Sequence, residues 1–169
     1  MLHSFINLNP NSTRFEVLLH AAWALITTQI RELIDPTFVN VCHRHPVPSL
    51  HGWNSSKYVG TWYEQAHVIE FDVFQPKNSV CITAHYTAND DGTIKVENSY
   101  QDGDGSSISA PAGKRHGVTG KAKCDDSADQ KGECHVSFFG MPYPSEPNYN
   151  VIDTNYDDFT IVYACDSMT

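Results

Sequence analysis

The chain has 169 residues, a length that suits one domain, and 40% of them are hydrophobic, enough to fill a core. Its 20 acidic residues outnumber its 11 lysines and arginines, for a formal net charge of −9. With no basic patch, the chain would repel a polyphosphate backbone; this excludes nucleic acid and leaves a carrier or secreted protein among the classes that fit.

Residues 1–38 read as a leader. The apolar run Val17–Ile30 (VLLHAAWALITTQI) is too short for a spanning helix of about 20 residues, so no stable membrane insertion is expected. It fits the h-region of a secretory signal, about 7–15 residues long, and the mature chain would then begin between Glu32 and Asn40 and be secreted to the extracellular space. A mis-assigned start or a short N-terminal helix is the alternative. All five cysteines (Cys42, Cys81, Cys124, Cys134 and Cys165) follow this run, as disulfides of an oxidising compartment would. An odd number leaves one thiol over, and none has the C-x-x-C spacing of a zinc or redox site. Asn54-Ser55-Ser56 is a glycosylation sequon.

Residues 39–169 form the domain. Seven short runs rich in β-branched and aromatic residues, each closed by turn chemistry, occupy Gly60–Val68, Ser79–Thr87, Thr93–Gln101, His116–Cys124, Cys134–Gly140, Tyr149–Thr154 and Phe159–Cys165. Asn89-Asp-Asp-Gly92 is a hairpin signal between the second and third, and the prolines of MPYPSEP keep that stretch out of any strand interior. This pattern predicts an all-β, antiparallel sandwich or barrel.

Alternation then sorts the side chains. Ile94, Val96, Asn98 and Tyr100 share one face, and Lys95, Glu97 and Ser99 the other; Ile82, Ala84 and Tyr86 oppose Thr83 and His85. Tyrosine, asparagine and alanine on an inward face suggest a lined cavity. In the fifth run either Val136 and Phe138 or Ser137 and Phe139 face inward, and Phe139 is taken as a wall candidate. His43, His45 and His51 read as a solvated loop, and Asp102-Gly-Asp-Gly lacks the distal Glu of a calcium loop because Gly113 stands there, so no metal is expected. Neither a catalytic constellation nor a cofactor-binding loop is visible.

Gly60-Thr61-Trp62-Tyr63-Glu64 resembles the G-x-W motif of the lipocalins, and Thr154-Asn155-Tyr156 stands where that family has T-D-Y, with Asn for Asp. The spacing from Cys81 and the ending DFTIVYAC are similar to the apolipoprotein D branch. The resemblance covers about Cys42 to Cys165. It implies an up-and-down barrel with Trp62 plugging the closed end and with Glu64 and Ala66 pointing inward above it. Seven of eight strands are then present, because the chain ends where the last strand and C-terminal helix should begin. That would leave an open edge through which copies could self-associate. The family pattern also implies a Cys42–Cys165 disulfide and an unpaired Cys81; Cys124 and Cys134 could close their own hairpin, which the family pattern does not supply.

The function so implied is an extracellular carrier, not an enzyme, holding a fatty acid, steroid, retinoid or bilin. Tyr86 and Asn98 stand at family pocket positions, beside Ile94, Val96 and Tyr100. The alternatives are a thiol-dependent isomerase using Cys81, or a non-functional truncated product.

Overall fold

A computed structural model describes residues 3–8, 49–66, 78–103, 113–125 and 130–165. The predicted leader run Val17–Ile30, the cleavage region, Cys42, His43 and His45 lie outside the described residues. Eight strands are present: β1 (His3–Leu8), β2 (Gly60–Ala66), β3 (Ser79–Ala88), β4 (Ile94–Asp102), β5 (Arg115–Cys124), β6 (Glu133–Phe138), β7 (Tyr149–Thr154) and β8 (Phe159–Ala164). They form one closed antiparallel barrel in sequence order.

Strands β2 to β8 are the seven predicted from turn spacing. The eighth, β1, comes from residues assigned to the leader. It pairs with β8 along its whole length, from His3↔Ala164 to Leu8↔Phe159. On its other side it meets β2 at Ile6↔Ala66 and Asn7↔Glu64. The edge expected to lie open between β2 and β8 is therefore covered: β8 gains a ladder partner along its whole length, and β2 gains one at Glu64 and Ala66.

Each junction has a local cause. Gly60 enters β2 at φ 118°, where a Cβ would meet nothing, so the dihedral rather than space calls for glycine. The β3–β4 turn closes through Asn89 N–H to Thr93 O at 2.8 Å, with Gly92 at φ 80°. Cys81, at φ 52°, sits in a register shift between Val80 and Thr83. Strands β6 and β7 pair only at Glu133↔Asn150 and Cys134↔Tyr149. Beyond that point the side chain of Asn148 takes over: its Oδ1 accepts from Val136 N–H at 2.7 Å and its Nδ2 donates to Val136 O at 3.0 Å.

The core lies at one end. Trp53, Tyr58, Trp62, Tyr86, Ile94, Val96, Ala122, Val151 and Val162 form it. Tyr58 is 2% exposed, stacks on Trp62 with ring centroids 5.3 Å apart, and lies 4.6 Å from Trp53. Each large side chain so removed from water contributes roughly 1.5–3 kcal/mol. The predicted second motif closes the same end: Tyr156 accepts a hydrogen bond from Asn54 N–H at 3.0 Å and packs 6.0 Å from Trp53. Asn155 replaces the family's Asp without loss of the turn, since its Oδ1 accepts from the N–H groups of Asp157, Asp158 and Phe159 at 3.2, 2.8 and 3.1 Å.

Candidate ligand-binding interior

Register fixes which residues face the barrel axis. Trp62, Ala84, Asn98 and Val118 stand in one row across β2 to β5, and Tyr86, Val96, Gly120 and Phe138 in the next across β3 to β6. Phe138, not Phe139, is therefore the inward residue. Phe139 is 68% exposed and turns at φ 57° just past β6, before Gly140 at φ 72°. That corrects its assignment as a wall residue: the strand ends at Phe138, two residues short of the predicted Gly140, and the turn throws the ring outward.

The interior is packed at one end and accessible at the other. Tyr86, Ile94 and Val96 belong to the packed end. The Tyr86 hydroxyl lies 2.9 Å from that of Tyr149, which lies 2.9 Å from that of Tyr58, which in turn lies 3.1 Å from Thr160 Oγ1. Burial pushes the Tyr86 phenol up to about 12 and raises Tyr58 and Tyr149 well above the ordinary phenol range too, because a phenolate there would lose its water. Tyr86 thus serves the core, as one of several hydroxyls that satisfy one another, and does not offer a free hydroxyl to a guest.

Toward the other end Glu64, Ile82, Ala84, Asn98, Tyr100, His116 and Val118 are only half-buried. Ala66 lies at the β1 pairing. Tyr100 stacks on His116, its cross-strand partner, with centroids 5.1 Å apart, and His116 Nε2 meets Asp102 Oδ2 at 2.9 Å. Nothing in the sequence marks His116, because a strand's first inward residue has no signature until its register is known. Between this rim and the core, Asn98 Oδ1 is buried with no hydrogen-bond partner. An unsatisfied acceptor in such a site costs about 1–3 kcal/mol until water or a ligand group reaches it.

The cysteines sort as follows. Cys124 and Cys134 are bonded and stand directly opposite each other across β5 and β6. Cys165 is disulfide-bonded, and Cys42, which the family pattern pairs with it, lies outside the described residues. Cys81 is free and exposed, and it lines a groove on the outer wall with Thr83 and His85, not the interior. Among the described residues no cluster of three or more His, Cys, Asp or Glu side chains could hold a metal ion.

The family model of the lipocalin-like domain matches residues 54–167. The chain is a lipocalin. It is similar to the Lazarillo protein of Schistocerca americana, 28% identical over 69% of this chain and 49% of that one. It is also similar to apolipoprotein D of Rattus norvegicus, 29% identical over 70% of this chain and 54% of that one. These place it on the apolipoprotein D side of the family, and the matched part spans about half the length of each relative. Among solved structures, the cockroach allergen Per a 4 is similar at 18% identity and a TM-score of 0.45, over 75% of this chain and 76% of that one.

Proposed function

We infer that this lipocalin is an extracellular carrier of a small hydrophobic molecule, held in the accessible half of the barrel. The observation that carries the reading is Asn98: a buried amide oxygen without a partner, set between the indole end of the barrel and a half-buried rim. Around it Ile82, Ala84, Val118 and Tyr100 offer apolar wall, so the guest is an apolar body with one polar group that the amide can meet. A fatty acid, steroid, retinoid or bilin has that form. Glu64 lies on the same inward face and disfavours a guest whose carboxylate sits deep beside it.

Secretion and glycosylation at Asn54 belong to the same proposal. Asn54 is exposed; its Oδ1 caps the following turn by accepting from Ser56, a cap that leaves Nδ2 for a glycan. Cleavage after Val17–Ile30 would remove β1, so the N-terminal residue of the secreted chain decides whether β1 closes the mature barrel. The outward Cys81 favours the carrier over a thiol-dependent isomerase, which would need that sulfur beside the guest.

Titration with oleate, progesterone, retinol and biliverdin, followed by tryptophan fluorescence, tests the reading. Saturable quenching by at least one is expected, weakened about tenfold by Asn98→Leu, as loss of one hydrogen bond of roughly 1.4 kcal/mol requires. No saturable quenching by any of them would overturn it.

A further inference from the structure

The outer wall of the barrel carries a groove of about 710 Å³ across β2 to β5, bordered by Asn98 and Val118 as well as by outward side chains. Its floor is a single cross-strand row, Tyr63↔Thr83↔Ser99↔Gly117, in which the side chains shrink from tyrosine to nothing. The missing side chain at Gly117 keeps the β5 end of that floor open. At the β2 end Tyr63 presents a ring that is 48% exposed.

Over this floor leans Arg115. Its Nη2 donates to Thr83 Oγ1 at 3.0 Å and Ser99 Oγ at 2.6 Å, and those two hydroxyls lie 2.7 Å apart. The guanidinium is thereby held in place by neutral partners, with its Nε and Nη1 donors left for another acceptor. No carboxylate among the described residues pairs with it. The nearby Glu97 is engaged by Lys95 at 2.8 Å, which offsets its charge. In a chain of net charge −9 this leaves a fixed cation in a hydroxyl-lined cleft.

We propose that the groove is a second binding site, for an acidic sugar. A uronate carries what the cleft complements: a planar carboxylate for the guanidinium fork, hydroxyls for Thr61, Ser99, Thr119 and the Glu97 carboxylate, and an apolar ring face for Tyr63. The volume falls within the range of roughly 300–1,000 Å³ common to small-molecule sites. Tyr63, Thr83, Ser99 and Arg115 point away from the barrel axis, which sets this ligand apart from the oily guest inside, while Asn98 and Val118 border both spaces.

The test is an amide-shift titration of the 15N-labelled full chain with glucuronate, and with glucose as the neutral counterpart. Glucuronate is expected to give saturable shifts at Thr83, Ser99, Arg115 and Gly117, with glucose binding at least fivefold more weakly. Arg115→Gln should abolish that preference and Gly117→Val should block both sugars, while quenching by the interior guest persists in each variant. Absence of saturable shifts, equal binding of the two sugars, or an unchanged preference in Arg115→Gln would overturn the proposal. Should glucuronate bind as expected while no apolar guest quenches the tryptophans, the outer site stands and only the carrier reading falls.

Discussion

The hydroxyl of Tyr149 sits 2.9 Å from the hydroxyl of Tyr86 and equally 2.9 Å from that of Tyr58, so Tyr149 is the middle of a buried chain and Tyr86 its end. Position in the chain sets the cost of breaking it. Tyr86→Phe removes the terminal hydroxyl and leaves Tyr149 bonded to Tyr58, for a loss of about 1 kcal/mol. Tyr149→Phe strands Tyr86, which has no other partner, and leaves Tyr58 with Thr160 alone, so a loss of roughly 2–3 kcal/mol is expected. Urea unfolding of the two variants measures the difference, and equal losses would contradict the chain.

The same burial makes stability fall in alkali. In the unfolded chain tyrosines ionise at about 10, whereas burial holds the Tyr86 phenol protonated to about 12 and also raises Tyr58 and Tyr149 well above the ordinary phenol range. Below pH 10 both states carry the proton and pH has no effect through these groups. Above it the unfolded state binds fewer protons than the native one, so stability declines as pH rises. Tyr86 alone accounts for roughly 2–3 kcal/mol between pH 10 and pH 12. Denaturant midpoints across that interval should drop steadily, and more gently in Tyr86→Phe.

Phe138 and Phe139 are neighbours in sequence with opposite fates. Phe138 stands opposite Gly120, packed against the core, while the ring of Phe139 is 68% exposed. Phe138→Ala is expected to cost roughly 2–3 kcal/mol, less than the roughly 3–5 of a fully enclosed ring. Phe139→Ala should stay within about 0.5 kcal/mol of the parent. Thermal melts of the pair read this directly; a larger loss at Phe139 would reverse the inward parity of β6.

These two phenylalanines also mark where the sequence stops being legible. Alternation within β3 and β4 can be read without a partner, because each run is long and its turn is announced by Asn89-Asp-Asp-Gly92. Trp62 and Thr154-Asn155-Tyr156 can be read because each carries a local job, an indole at the closed end and a turn capped by its own side chain. In β6 a slip of one residue exchanges the two faces, and only pairing with β5 decides it. Strand β1 is a stronger case: HSFINL has no turn signal tying it to anything, and its partners Val162 and Ala66 lie far along the chain. The interior suffered likewise. Alternation turns Tyr86 inward, as a ligand contact would be, but it gives direction and not the identity of the hydroxyl that faces it.

Asn148 is the least legible of the structural residues, placed just after the prolines of MPYPSEP, and it is among the most consequential. Its amide lies across Val136 as a peptide group of a neighbouring strand would, accepting from the N–H at 2.7 Å and donating to the carbonyl at 3.0 Å. It extends the β6 ladder where β7 has already diverged, since their direct pairing ends at Cys134↔Tyr149. Asn148→Ala would remove both partners of a half-buried peptide group, at about 1–3 kcal/mol. Asn148→Asp keeps the acceptor and loses the donor, setting a carboxylate against the Val136 carbonyl, so it should be no less harmful. Hydrogen exchange supplies a local readout: the Val136 amide should lose protection in both the Ala and Asp variants, more completely in Ala, while the Gly120 amide in β5 keeps its own. Unchanged exchange at Val136 in Asn148→Ala would mean that β6 is held at this point by packing alone.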